Sequence, residues 1–183
     1  MAQEPKSYDR VARLLHWVVA AAILLMIPAG LVMVRDGLPR PVQDALFFFH
    51  KNTGAALLVV IMLRILWRIF HHAPPLPRDL PNWQRKVAGL SHGLLYALMI
   101  VMPVTGYIRV RAGGFPIEVL DAIGFPVLIP RNKALADTAS WLHETAGWGL
   151  MAILALHIGA ALYHGLVRRD GVWGRMWRRG PRT

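Results

Sequence analysis

The stretch WLHETAGWGLMAILALHIGAALYHGLV, Trp141 to Val167, decides the fold. It is long and apolar enough to cross a bilayer, whose hydrocarbon core of about 30 Å takes about 20 helical residues. His143 and His157 lie within it, fourteen residues apart. On an α-helix that interval rises about 21 Å and returns to within roughly 40° of the starting face. Both imidazoles then project from one face, one toward each edge of the membrane. An ionisable side chain in a hydrocarbon span is costly, so its presence points to function.

Three more stretches have the same character. Val11–Val34, Ala45–Ile69 and Val87–Val110, together with Ala139–Val167, predict an all-α integral membrane four-helix bundle. The chain has 183 residues, 55% of them hydrophobic. Four crossings leave only short loops and tails, so residues 1–183 read as one transmembrane domain with no room for a soluble catalytic unit. The first span is too long for a signal peptide, carries His16 and Trp17 near its start, and ends in Val34-Arg35-Asp36 without a small-residue cleavage site. It reads as a retained helix.

Charge orients the bundle. The net charge of +11 does not indicate nucleic acid, because the cations follow the topology. With an even number of crossings, both termini share one side. That side holds Lys6, Arg10, Arg13, Arg64, Arg68, Arg78, Arg85, Lys86 and the Arg168–Arg182 cluster, against Glu4, Asp9, Asp79 and Asp170. On the other side Arg35, Arg40, Lys51, Arg109, Arg111, Arg131 and Lys133 are nearly balanced by acids. The positive-inside rule then places both termini in the cytoplasm. Trp173 and Trp177 among the tail arginines read as an interfacial anchor on anionic lipid.

Pro39 and Pro41 punctuate the first outer loop, and Pro74-Pro75-Leu76-Pro77 stiffens the inner one. The second outer loop, roughly Arg111 to Thr138, is the longest segment outside the spans, and its apolar middle is expected on the membrane surface. Pro28 and Pro103 fall inside spans, where neighbouring helices tolerate kinks. No internal sequence repeat is evident.

Depth sorts four histidines into two pairs. His16 and His157 lie toward the inner face, His50 and His143 toward the outer one, each pair drawn from two helices. Bundle cofactor sites are built this way, from inward-facing side chains on opposing helices. The competing reading is of polar side chains hydrogen-bonded between helices. Ala20, Gly54, Gly147 and Ala161 each follow a histidine by one turn, leaving space for a flat macrocycle near the backbone. Cysteine is absent, which removes thiolate ligands, iron–sulfur clusters and c-type haem attachment. Zinc asks for three or four protein ligands, whereas a porphyrin leaves only two axial positions. Two imidazoles therefore suit haem iron. Arg13, Lys51, Arg64 and Arg68 lie near helix ends, where they either pair with haem propionates or snorkel to the interface. His71 and His72 fall in the inner loop, and His92 lies on the third helix, which contributes to neither pair. His164 is an alternative ligand, an outer-shell group or a quinone-side group.

The residues resemble the bacterial cytochrome b561 family of four-helix di-haem membrane proteins, related to the cytochrome b subunits of nickel-iron hydrogenases. The resemblance rests on Arg13-Leu14-Leu15-His16-Trp17, His50-Lys51-Asn52-Thr53-Gly54, Leu63-Arg64-Ile65-Leu66-Trp67-Arg68, Pro103-Val104-Thr105-Gly106-Tyr107, His143-Glu144, and Ala161 through Gly171. It covers nearly the whole chain. Trp173 and Gly174 depart from the aliphatic residues expected before Arg175-Met176.

The resemblance implies two b-type haems, one between His16 and His157 and one between His50 and His143, with ubiquinone as redox partner. Some compact members of the family oxidise superoxide at the outer face and reduce ubiquinone, and this chain has their size. A superoxide:ubiquinone oxidoreductase is therefore expected, with Lys51, Arg109 and Arg111 as candidate cations at the outer mouth. One alternative is an electron-carrier subunit linking a periplasmic dehydrogenase or hydrogenase to quinone. Another is a histidine-lined metal transporter, although the spans lack the central carboxylates of a proton or cation relay.

Overall fold

The computed structural model describes residues 7–77 and 80–177. Glu4, Lys6, Arg78, Asp79 and the arginines beyond Trp177, part of the charge assigned to the inner side, lie outside the described residues. Four long helices form the body: α1 (Arg10–Met33), α2 (Arg40–Phe70), α3 (Asn82–Ala112) and α5 (Lys133–Leu162). A short α4 (Glu118–Ala122) lies in the second outer loop. α5 runs on into a π-helical turn, Tyr163–Arg168, and α6 (Gly174–Trp177) follows. All four long helices are long and apolar enough to cross a membrane, and the described residues contain no strand.

Three of the helices start well before the spans read from hydropathy. α2 begins at Arg40, with Pro39 as its cap and Pro41 in its first turn. Proline's missing N–H costs nothing there, so these prolines open the helix instead of extending the loop. α3 opens with the polar turn Asn82-Trp83-Gln84-Arg85-Lys86. α5 opens where the Asn132 side-chain oxygen accepts the Leu135 N–H at 3.0 Å, which shortens the outer loop to residues 113–132. The apolar signal stops at the edge of the hydrocarbon, whereas backbone hydrogen bonding carries each helix beyond it. Pro28 and Pro103 sit inside continuous α1 and α3.

Two antiparallel hairpins, α1 with α2 and α3 with α5, make the most extensive contacts, and α2 also packs on α3. Their shared centre is the cluster Val19, Ile23, Leu57, Ile61, Leu95, Met99 and Leu150. By position along the helices this layer lies between the levels of the two histidine pairs. Outward-facing side chains such as Leu25, Val59 and Leu156 remain exposed, as expected of a surface that meets lipid. Lipid is as apolar as these side chains, so helix pairing depends on close fit and on hydrogen bonds. At the inner end, Asp9 accepts the Ala12 N–H at 2.9 Å and the Trp67 indole N–H at 3.1 Å, fastening the start of α1 to the end of α2. Burial pushes the Asp9 carboxyl up, but these hydrogen bonds outweigh it and hold the group below its ordinary range.

Candidate functional site

The structure brings the four histidines together as two facing pairs. The His16 and His157 ring centres are 6.3 Å apart with planes at 68°, and those of His50 and His143 are 6.3 Å apart at 75°. Two imidazoles on opposite sides of one iron, with metal–nitrogen bonds of about 2 Å and roughly 1.2 Å from nitrogen to ring centre, place their centres about 6.4 Å apart, close to the observed separations. Both pairs therefore fit a six-coordinate haem iron. Among the described residues no cluster of three or more His, Asp or Glu side chains forms a metal site, so the donor set does not suit zinc.

Glycines on the neighbouring helices make room for the outer rings. A Cβ on Gly30 of α1 would stand 2.8 Å from His50 Cε1, and one on Gly106 of α3 would stand 3.2 Å from His143 Cε1. Sequence reasoning missed both. It emphasised Gly54 and Gly147, whose open sides instead face the methyl groups of Met26 and Met102 at 3.4 and 3.6 Å. Each ring thus rests on backbone across a hairpin. His143 Nδ1 lies 3.0 Å from the Met102 carbonyl and 3.1 Å from Thr105 Oγ1. A carbonyl only accepts, so Nδ1 carries the proton and Nε2 keeps its lone pair for a metal.

His92, expected to stand apart, lies 5.5 Å from the His157 ring, centre to centre. This is closer than two imidazoles on opposite sides of one iron can be, and it puts a third histidine beside the inner pair. His164 is engaged elsewhere: its Nδ1 is 2.6 Å from Asp170 Oδ2, and Arg168 reaches the same carboxylate at 3.1 Å. Burial raises the Asp170 carboxyl, but the His164 bond, the Val172 N–H and the Arg168 charge together hold it below its ordinary range.

The candidate cations differ in their surroundings. Lys51 Nζ is 2.7 Å from Glu118 Oε1 and 2.8 Å from the Pro116 carbonyl. Next to it Asn52 donates to Glu118 Oε2 at 2.7 Å and accepts the Val119 N–H at 2.8 Å. Arg111, with its side chain 5% exposed, is paired with Asp121. Lys51 and Arg111 therefore bind α4 down over the outer end, and their charges are neutralised locally. Arg109, in the last turn of α3, has no carboxylate partner among the described residues. At the inner level Arg64 donates to the Ala12 carbonyl at 3.2 Å and lies 5.8 Å from the centre of the Tyr96 ring. Arg13 has a buried Nε without a partner, and Arg68 donates to the His71 carbonyl at 3.1 Å.

The chain belongs to the prokaryotic cytochrome b561 family, whose sequence pattern it matches over residues 7–179. It is 30% identical to cytochrome b561 homolog 2 of Escherichia coli, over 94% of this chain and 92% of that one. It is 29% identical to the probable superoxide oxidase CybB of Yersinia pestis, over 93% and 96% of the two chains. Cytochrome b562 of Cereibacter sphaeroides is 29% identical over 97% and 99%. The chain is accordingly a multi-pass bacterial membrane cytochrome of b type with an electron-transfer role.

Proposed function

We propose that this member of the prokaryotic cytochrome b561 family moves electrons from superoxide at its outer face to ubiquinone. His50 and His143 would hold an outer haem, and His16 and His157 an inner one. The observation that carries this reading is the 6.3 Å separation found twice, at two depths, across an apolar layer. Bound haem supplies a one-electron couple. With a histidine held on each side, such a haem would have no free position for oxygen, and outer-sphere electron movement would be favoured over oxygen activation.

The remaining parts fall to residues of the chain. The layer around Ile61 and Leu150 keeps water from between the two sites. Arg13 and Arg64 would take the propionates of the inner haem. Arg109 would attract the superoxide anion to the outer mouth. Two superoxide ions each give up one electron and leave as dioxygen, and ubiquinone takes the two electrons with two protons. The hydrogen-bonded His164 and Asp170 near the inner end are suited to deliver those protons. The excess of cations around both termini supports placing them in the cytoplasm. The likeness to a probable superoxide oxidase supports superoxide as the donor.

The experiment is quinol formation by purified protein with an enzymatic superoxide source. The expected result is one quinol per two superoxide ions, abolished by superoxide dismutase. Quinol formation that ignores the dismutase, or that requires a copurifying dehydrogenase or hydrogenase, would favour the carrier-subunit reading instead.

A further inference from the structure

The outer pair is built twice from the same parts. Met26 and Gly30 bracket Pro28 on α1, and Met102 and Gly106 bracket Pro103 on α3. Gly30 seats His50 and Gly106 seats His143. One turn beyond each histidine, Gly54 receives the Met26 methyl and Gly147 that of Met102. The two hairpins thus offer each ring an equivalent seat, although only four positions in each recur in sequence.

The seats differ at the third residue after the methionine, which is Ala29 on α1 and Thr105 on α3. Both positions are buried. The Thr105 hydroxyl donates to the Val101 carbonyl at 2.7 Å, leaving its oxygen to accept from His143 Nδ1 at 3.1 Å. Nδ1–H is therefore shared between Thr105 and the Met102 carbonyl. On the other side Ala29 offers no hydroxyl, and His50 Nδ1 is buried with no hydrogen-bond partner.

We infer that Thr105 is a positioning residue that makes His143 the more electron-donating of the two outer ligands and thereby lowers the potential of the outer haem. The inference rests on the two-haem reading. A hydrogen bond drawn from Nδ1–H raises the basicity of Nε2 and stabilises the ferric state. An outer couple lowered in this way favours passage of the electron inward. A threonine that only holds its own helix turn beside Pro103 would affect stability and leave the potential unchanged.

The test is a potentiometric titration of purified wild type, T105V, T105S and A29S, each first assayed for haem content. Fewer than two haems in the wild type removes the two-haem reading before any variant is compared. With two haems present, T105V is expected to raise one midpoint by about tenfold in its redox equilibrium, or about 59 mV for one electron. The other midpoint stays in place, and T105S matches the wild type. A29S, which adds a hydroxyl at the seat of His50, is expected to shift the same midpoint downward. An unchanged midpoint in T105V, equal shifts of both haems, or haem loss that T105S also shows would overturn the proposal.

Discussion

His50 and His143 face each other across 6.3 Å with their ring planes 75° apart, and His16 and His157 repeat the distance at 68°. Nearly perpendicular axial imidazoles leave two iron d orbitals almost equal in energy. If each pair holds a haem, as proposed, both ferric haems are expected to give strongly anisotropic low-spin EPR signals. Rhombic spectra of the kind given by parallel imidazoles would show that the rings turn when haem binds. His92→Ala should leave haem content unchanged, because its 5.5 Å approach to His157 does not fit the opposite side of an iron.

Gly30 and Gly106 should not tolerate a methyl group. Gly30→Ala places a Cβ 2.8 Å from His50, and Gly106→Ala places one 3.2 Å from His143. Overpacking of this kind costs about 1–3 kcal/mol, with Gly30→Ala the more severe. Haem content and thermal stability of the purified variants check it, and the inner haem should survive in both. Full outer-haem content in Gly30→Ala would mean that the seat yields to the added methyl group.

Arg109 and Lys51 should differ in their effect on superoxide-driven turnover. Lys51 is neutralised by Glu118, whereas Arg109 has no carboxylate partner among the described residues. Arg109→Gln should slow quinone reduction by up to about tenfold at low ionic strength and flatten its salt dependence. Lys51→Met combined with Glu118→Gln, which removes both charges of that pair, should leave the salt dependence as it is. Rates measured between low and physiological salt separate the two.

The clamp on α4 should release in acid. Burial pushes the Glu118 carboxyl up, but hydrogen bonds from Lys51 and Asn52 outweigh it, and Arg111 lowers Asp121. Both carboxyls thus sit below their ordinary range. Their contribution is complete above the unfolded carboxylate value of about 4 and is lost as pH falls through the lowered folded values. The protection of the residue 115–128 amides, measured relative to their intrinsic exchange rates, should fall across that acid range. Glu118→Gln should exchange faster at neutral pH and respond less to acid.

The spans were legible because length and apolarity alone determine whether a helix can cross a bilayer. His143 and His157 were legible because fourteen residues on one helix define both face and depth. Gly30 and Gly106 were not, since each matters only through a histidine on another helix, and their likeness shows once the hairpins are paired. The same limit hid the partners of Lys51 and Arg111, which depend on how residues 113–132 fold back. His92 was set apart because the third helix offered no depth-matched partner, yet packing brings it beside His157.

Haem stoichiometry in histidine variants, read from the pyridine haemochrome of purified protein, tests the central claim most directly. Two haems per chain are expected in the wild type, one in His50→Ala, one in His157→Ala and none in the double variant. A wild-type chain that binds no haem when haem is plentiful, or a double variant that keeps both, would contradict the account.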